Sequence, residues 1–291
     1  MNFPHLAQRL FNRPLAILPD KAEIIMAALA DRLGIVSMAK ISNGQMQTVP
    51  MAYGDSRYSA KGRDRDMGYD ITPDGIAVIE VSGTLVHKNG TLRPYSGMTG
   101  YDGIRENIFA AINDPEVKAI CLDIDSPGGE VAGCFDLVDF IYEARKQKKI
   151  FAILNEIACS AAYAIASACN KIYMPRTGIA GSIGVIWMHV DWSKAMGESG
   201  VAVTFIKYGD RKADGNSYEP LADEARKRAQ ADIDSMGELF VRTVARNRGI
   251  SADKIRATQA AVYLGQEAID QNLVDGIMSP DAAYEAICQQ I

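Results

Sequence analysis

The sequence has no long hydrophobic run, although 48% of its 291 residues are apolar. A membrane-spanning helix needs about 20 consecutive apolar residues. The N-terminus also lacks the basic segment and apolar core of a secretory signal. We therefore expect a protein that is neither secreted nor anchored in a membrane.

Cysteine, histidine and clustered charge are scarce as well. The five cysteines are odd in number and none forms a closely spaced pair, which argues against a disulfide framework or a zinc site. We predict reduced thiols, no metal and no cofactor. The 31 basic and 36 acidic residues give a net charge of −5 without long runs of one sign. Such a surface excludes nucleic acid and anionic membranes as expected partners.

The first part of the chain reads as a helix followed by a polar stretch. Residues 20–34, "DKAEIIMAALADRLG", predict a helix with Asp20 as N-cap, Glu23 completing a capping box and Gly34 ending it. A Gly- and Ser-rich polar segment then continues to about residue 73 and is typical of a linker. We divide the chain into an N-terminal helix and flexible arm, 1–73, and a single domain, 74–291.

The rest of the sequence alternates strand-like and helical patterns. Strands are predicted at 76–86, 117–126, 150–157, 183–190 and 201–208. Apolar residues at helical spacing predict helices around 104–112, 131–141 and 225–244. Strands that alternate with helices imply an α/β fold with a largely buried sheet.

The segment "DSPGGEVAG", residues 125–133, follows a predicted strand and precedes a predicted helix. Gly128 and Gly129 let the backbone approach a ligand closely, and N–H groups at a helix start can hold an anion. Such a turn could serve as an oxyanion hole for acyl transfer. Taken alone, however, the segment favours a plain turn between a strand and a helix.

Ser160 opens the alanine-rich segment "SAAYAIASAC" directly after a predicted strand. A serine at a helix N-terminus can act as a nucleophile, because the helix dipole favours a developing negative charge. Taken alone, the position favours an N-cap role, which serine often fills. The neighbouring Cys159 is an alternative nucleophile, but its place at a strand end favours a buried structural thiol.

A nucleophilic serine requires a base, and the chain has three histidines. His5 and His87 are read as bystanders, whereas His189 ends a predicted strand close to Asp191. The competing base is Lys212, which would need desolvation or a positive field to become neutral. By composition alone, Lys212 is a solvated lysine in a polar loop.

Four short motifs in fixed order resemble one family. They are "SPGG" at 126–129, the serine before the alanine-rich helix, "GSIGV" at 181–185 and "GDRKADGN" at 209–216. This order resembles the signal peptide peptidase A (protease IV) superfamily of Ser/Lys endopeptidases. The segments "ACSAAYAIASAC" at 158–169 and "AAVYLGQEAIDQNLVDGI" at 260–277 are similar to its tailed-phage head maturation proteases, the capsid protein C type.

The resemblance implies a role for each matching residue. Ser160 would be the nucleophile, Lys212 its general base and Ser182 the residue that orients the lysine. The backbone N–H groups of Gly128 and Gly129 would form the oxyanion hole. The implied fold is the Clp protease/crotonase-like fold of stacked ββα units, whose members assemble into homo-oligomeric rings or domes.

The implied function is cleavage of scaffold, portal or other capsid proteins in the host cytoplasm or the phage prohead. Because the alanine-rich helix leaves room for little shape discrimination, we expect small P1 residues to be preferred. Three alternatives are kept. The first is a Clp-like triad of Ser160, His189 and an aspartate; the second is a cytoplasmic signal-peptide-peptidase-like protease of a prophage. The third is a catalytically inactive, ring-forming assembly protein.

Phage members of the family often continue into a scaffolding region, which does not follow Ile291 here. A separately encoded scaffold, a shortened chain or a prophage remnant would each explain this difference.

Overall fold

The computed structural model of the protein describes residues 13–25 and 67–291. The helix predicted at 20–34 is described over residues 19–25, where the chain is helical. The rest of that helix and most of the predicted linker lie outside the described residues.

The described chain forms one mixed sheet with helices packed on both faces. Its strands are β1 (Pro14–Ile17), β2 (Asp70–Ile71), β3 (Ile76–Val86), β4 (Met98–Gly100), β5 (Ala119–Glu130), β6 (Ile150–Cys159), β7 (Lys171–Met174), β8 (Ile179–Gly181), β9 (Ile186–Trp187), β10 (Val262–Leu264) and β11 (Gly276–Ile277). Its helices are α1 (19–25), α2 (Tyr101–Asn113), α3 (Cys134–Ala144), α4 (Ala161–Ser167), α5 (Ser193–Glu198), α6 (Asp223–Arg248), α7 (Ala252–Ala257), α8 (Gln266–Asp270) and α9 (Pro280–Cys288). The predicted α/β class is confirmed.

Three long parallel strands form the centre of the sheet. β5 lies between β3 and β6, and β6 pairs in turn with both β7 and β8. Alternate β5 residues point to opposite faces: Ile120, Leu122 and Ile124 join the main core, whereas Ala119 and Cys121 join a second cluster under α9. Both faces are therefore covered, as expected of parallel strands without a polar face.

The N-terminal residues contribute to the same sheet. β1 pairs antiparallel with the end of β5 and with β9, and β2 pairs antiparallel with β3. Two strands from the predicted arm thus lie against the predicted domain. The boundary at residues 73–74 stays a prediction.

The predicted strands differ in how well they match the structure. The strand at 76–86 is confirmed, while those predicted at 117–126 and 150–157 each extend further, to Glu130 and Cys159. The strand predicted at 183–190 is much shorter in the structure, where two residues form a strand that pairs with β1, Ile186–Trp187.

The strand predicted at 201–208 is wrong. This segment is irregular and exposed, with Ile206 99% exposed and Tyr208 fully so. Its β-branched and aromatic residues fit a strand, but β propensity is realised through a neighbouring strand and a packed face. No strand of the described residues pairs with it. Among the described helices, none combines the length and apolarity that crossing a membrane demands.

Asp275 ties the C-terminal part of the chain to the sheet. Its carboxylate accepts hydrogen bonds from Arg248 Nη1 at 2.9 Å and from the Ile172 N–H at 2.8 Å, and its side chain is 18% exposed. Burial acts to raise the pKa of this carboxyl, but the bonds from Arg248 and Ile172 outweigh burial, so the pKa lies below its ordinary value.

We predict that Asp275→Asn lowers the free energy of unfolding by about 1–2 kcal/mol at pH 7. Because the folded-state pKa is depressed, the carboxylate stabilises the fold above the ordinary carboxyl pKa and loses that effect as pH falls through the folded pKa. The difference from the wild type should therefore shrink below about pH 4. Urea unfolding at pH 7 and at low pH measures it. Asp232→Asn, on the exposed side of α6, is the control, and a difference that does not change with pH contradicts the charged pairing.

Candidate active site

Ser160 forms the junction between β6 and α4. Its backbone φ is 56° and its ψ is −121°, a conformation that costs a residue other than glycine free energy. The Ser160 N–H donates to the Gly181 carbonyl at 2.8 Å, and its carbonyl accepts from the Ala164 N–H at 2.9 Å. The neighbouring backbone therefore holds this strained turn from both sides.

The side chain of Ser160 does not cap the helix that it precedes. α4 has no side-chain hydrogen bond at its N-terminus, and Ser160 Oγ instead points to the Gly184 carbonyl at 3.4 Å. Capping by this serine, which the position alone favoured, is thus not what the structure shows. Within the described residues, this hydroxyl makes no short hydrogen bond that would explain why a serine occupies a strained position.

α4 is held rigidly below Ser160. All seven of its residues are buried. The Tyr163 hydroxyl donates to the Leu273 carbonyl at 2.8 Å, and Ser167 Oγ accepts from Asn247 on α6 at 2.9 Å. Small alanine side chains let this helix approach β5 closely, which leaves Ser160 little freedom to move.

Gly128 places its backbone directly against Ser160. Its φ is +104°, and a Cβ at this position would collide with the Ala16 carbonyl oxygen and lie 3.0 Å from Ser160 Cβ. A Cβ at Gly129 would collide with the Leu85 carbonyl oxygen. Both positions therefore require glycine because other backbone segments of the chain lie close to them, while the close approach to a ligand stays a prediction.

The local geometry of these glycines differs from the prediction. β5 continues through Gly128 and Gly129, and α3 begins later, at Cys134. The two N–H groups therefore belong to a strand rather than to a helix start. The Gly128 N–H donates to Ser126 Oγ at 3.2 Å, and Ser126 Oγ donates to the Gly83 carbonyl at 2.6 Å. Sequence reasoning assigned no role to Ser126, although it lies within the "SPGG" motif.

The "GSIGV" segment wraps around the other side of Ser160. Ser182 is buried with φ at 53°, and its N–H donates to the Ala261 carbonyl at 2.9 Å. Its neighbours Gly181 and Gly184 supply the two carbonyls that Ser160 contacts. The structure thus brings Ser160, Gly128 and the Ser182 turn together.

Lys212 lies in an exposed one-turn 3-10 helix, Asp210–Ala213. In the described part of the chain, no hydrogen bond joins Lys212 Nζ to Ser160. The loop is nevertheless attached next to the site: Gly215 packs against the Trp187 ring of β9, and Asp214 pairs with Arg228 at 2.6 Å. These contacts fix the base of the loop while leaving Lys212 in solvent.

His189 contacts the lysine loop instead of Ser160. Its Nε2 lies 2.9 Å from the Asn216 carbonyl oxygen, and its ring centroid is 5.7 Å from that of Trp187. Hydrogen bonds from the Ser193 hydroxyl and from the Ser193 N–H, the latter at 2.8 Å, lower the pKa of the Asp191 carboxyl. The neighbouring charge of His189 adds to that shift.

The other residues considered as nucleophile or base show features of structural residues where the structure describes them. Burial raises the pKa of Cys159 to about 12, which disfavours its thiolate and fits a structural thiol. The His87 ring packs beside Gly133, and the His87 backbone N–H donates to Glu130 Oε2. His5 lies outside the described residues. No three His, Cys, Asp or Glu side chains gather around a common point within residues 13–25 and 67–291.

The family model of peptidase family S49 matches residues 143–290, which include Ser160, Ser182 and Lys212. The chain belongs to peptidase family S49. The matched segment begins after Gly128 and Gly129, so it covers the serine and lysine segments but not the glycine strand. The predicted superfamily is thereby confirmed.

Two phage proteins are similar to this S49 chain over nearly its whole length. The "Head-tail preconnector protein GP5" of Enterobacteria phage P21 is 40% identical over 98% of the chain and 57% of its own length. The "Capsid assembly protease C" of Escherichia phage lambda is 40% identical over 96% of the chain and 64% of its own length. The "Putative signal peptide peptidase SppA" of Enterococcus faecium is 27% identical over 60% of the chain and 51% of its own length. The chain spans about three fifths of the two phage relatives.

We predict that Gly128→Ala lowers the free energy of unfolding by about 2–4 kcal/mol, because the new methyl group would displace the Ala16 carbonyl, would lie 3.0 Å from the Cys159 carbonyl oxygen and from Ser160 Cβ, and would hold alanine at a positive φ. The control is Gly90→Ala, whose φ is also positive, at +68°, but whose new Cβ meets no atom within 4 Å. The control should lose about 1 kcal/mol, the cost of its backbone conformation alone. Urea unfolding of both variants measures the difference, and equal losses would contradict the close packing around Gly128.

Proposed function

We propose that this chain is a serine endopeptidase with Ser160 as nucleophile and Lys212 as general base, on a Clp protease/crotonase-like fold. One observation carries the proposal. In an S49 chain, a buried serine with positive φ and no capping bond lies against the backbone of Gly128. A strained, rigidly held serine beside strand N–H groups fits a nucleophile next to an oxyanion hole.

The proposed chemistry proceeds through an acyl-enzyme. Neutral Lys212 takes the proton of Ser160 Oγ as the oxygen bonds to the substrate carbonyl carbon, and the carbonyl electrons move to its oxygen. The N–H groups of Gly128 and Gly129 hold this oxyanion, replacing their present partners. The carbonyl re-forms as the C–N bond breaks, and Lys212 gives its proton to the leaving amine. Water then attacks the ester, losing a proton to Lys212, which returns one to Ser160.

Lys212 must approach Ser160 for this chemistry, since it is exposed in the single chain. The contacts of its loop with Trp187 and His189 place the loop beside β9, so a closing movement need not cross the molecule. Closure would also remove water from the lysine, which favours the neutral amine that a base requires. Ser182, next to Ser160, is proposed to orient the arriving lysine.

We expect Ser160→Ala and Lys212→Ala each to abolish peptide hydrolysis, by a factor of about 10³ or more. Lys227→Ala, at an exposed lysine on α6, is the control and should keep full activity. Hydrolysis of fluorescein-labelled casein, with product masses determined, measures all three.

His189→Ala separates the two proposed bases. If the dyad is right, this variant keeps most of its activity, with a modest loss from loosening the Asn216 contact. Full activity of Lys212→Ala combined with loss in His189→Ala would instead establish the Clp-like triad. Full activity of Ser160→Ala would reject both mechanisms.

We propose phage capsid proteins, including scaffold and portal, as the substrates, with small residues at P1, and the host cytoplasm or prohead as the location. The support is the 40% identity to the lambda protein whose name describes capsid assembly proteolysis. A prophage signal-peptide-peptidase-like protease and an inactive assembly protein remain the alternatives. Co-expression with the neighbouring capsid genes and mass determination of the cut sites would distinguish the substrates.

We propose in addition that the chain forms a homo-oligomer through the 201–208 segment. Five large apolar residues there are exposed in the single chain: Val201, Val203, Phe205, Ile206 and Tyr208. The Phe205 ring lies 6.4 Å from the Tyr218 ring, whereas Ile206 and Tyr208 are fully exposed. An exposed apolar stretch of this size fits a protein interface.

We predict that the double variant Ile206→Asp and Tyr208→Asp lowers the molecular mass in solution to that of a single chain. Charges at two fully exposed apolar positions would oppose burial in an interface while leaving the core untouched. Light scattering measures the mass, with Lys207→Gln as the control between them. An unchanged mass places any interface elsewhere.

A further inference from the structure

The candidate nucleophile is completely covered in the folded chain. Ser160 is 0% exposed. A peptide carbonyl must reach Ser160 Oγ for any acyl transfer, so some part of the present cover has to leave. α4, β5 and the Ser182 turn belong to the core or to the site itself.

β1 also borders the site, because it pairs with β5 at Gly128 and Gly129. The Ala16 carbonyl oxygen and the Ser160 side chain both border the small space in front of the Gly128 Cα. β1 pairs with β5 through Leu15↔Glu130, Ala16↔Gly129 and Ile17↔Gly128. The Leu18 N–H adds a bond to the Pro127 carbonyl at 3.0 Å.

β1 occupies a gap in the sheet that the turn at Ser160 creates. β6 accompanies β5 as far as the pair Ser126↔Ala158 and then turns into α4 at Ser160. Beyond that point β1 replaces β6 as the neighbour of β5 and is closed on its other edge by β9, through Leu15↔Ile186. The gap therefore accepts one extended strand, antiparallel to both neighbours, beside Ser160.

A groove with two strand edges is suited to an extended peptide. Main-chain hydrogen bonds to the edges supply affinity that depends little on side chains, while alternate side chains enter pockets. A substrate and β1 would use the same backbone groups of residues 127–131, including the Pro127 carbonyl and the Val131 N–H. They cannot both be bound.

β1 is attached more weakly than the other central strands. Leu15 and Ile17 pack with Ala22, Ile25 and Ile186 in a small separate cluster. Among the β1 residues, Ala16 alone joins the main core, with a single methyl group. Removing β1 therefore uncovers little of the main core.

We propose that β1, residues 14–17, is a built-in competitor of the peptide substrate: it fills the groove between β5 and β9 and covers Ser160 until a substrate strand displaces it. This inference rests on the proposed endopeptidase function. It adds that the enzyme is self-inhibited and that the substrate binds as an extended strand in the position and direction of β1.

The test weakens β1 and measures access to residue 160 without using catalysis. Ser160→Cys provides a thiol at the site, and its alkylation by iodoacetamide is followed by intact mass. Adding Ala16→Pro removes the N–H that faces Gly129 and prevents regular pairing. We expect alkylation at residue 160 to be about tenfold faster in the Ala16→Pro background. Ala16→Ser keeps the N–H and the small size and is the matched control.

The second measurement uses the active serine. Ala16→Pro is expected to raise kcat/KM for fluorescein-labelled casein by about tenfold, with Ala16→Ser at the wild-type value. The pair Leu15→Cys and Ile186→Cys, which face each other across β1 and β9, should abolish activity when oxidised and restore it when reduced. If Ala16→Pro lowers the unfolding temperature strongly, the double variant Leu15→Ser and Ile17→Ser replaces it, since it weakens the small cluster instead.

The outcomes separate this inference from the function on which it rests. Equal alkylation rates, or full activity of the oxidised cysteine pair, overturn the competitor role even in an active protease. Faster alkylation in a chain that hydrolyses nothing supports β1 as the cover of residue 160 and rejects the protease function. Ser160-dependent cleavage of the chain itself between residues 14 and 18 would make β1 a substrate and overturn the inference.

Discussion

The close approach of Gly128 to Ser160 is the contact on which the rest of the site depends. It requires glycine at residue 128, since any Cβ would collide with the Ala16 carbonyl oxygen and press on Ser160 Cβ. It also requires Ser160 to adopt a positive φ, which the hydrogen bonds to Gly181 and Ala164 hold in place. The free energy stored in this turn is compensated by the packed sheet and helix on either side.

The fold explains why such a contact forms here. Because β5 is buried on both faces and α4 consists almost wholly of small residues, the helix can lie close under the strand. β6 must then end abruptly at Cys159, and its departure leaves one edge of β5 open to another strand from Pro127 onward, while β3 still pairs with the other edge. A strand edge and a strained serine are thus two consequences of one turn. The groove that accepts β1 is the space between them.

The sequence predicted those parts that depend on local pattern. The strand at 76–86 and the helices around 104–112 and 225–244 follow from apolar periodicity. The glycines of "SPGG" predicted a close backbone approach to a ligand, whereas the atoms that lie close to them in the structure belong to the chain itself. It did not predict β1, because four residues, "PLAI", carry too little periodicity to be told from a loop. For 201–208 the opposite error occurred, since the residues suit a strand but no partner pairs with them. Pairing partners distant in sequence decide both cases, and no local pattern contains them.

A strand that belongs to the same chain as its groove binds there more readily than a separate substrate peptide with the same contacts. Tethering gives it an effective concentration in the millimolar range for a flexible connection, so a dilute peptide with the same contacts would rarely displace it. A substrate succeeds when it is locally concentrated or when it makes contacts beyond the four residues of β1. Under the proposed function both conditions hold, because capsid proteins packed in one particle are present at high local concentration and offer long segments. Self-inhibition by β1 would then restrict cleavage to the assembled particle without a separate inhibitor.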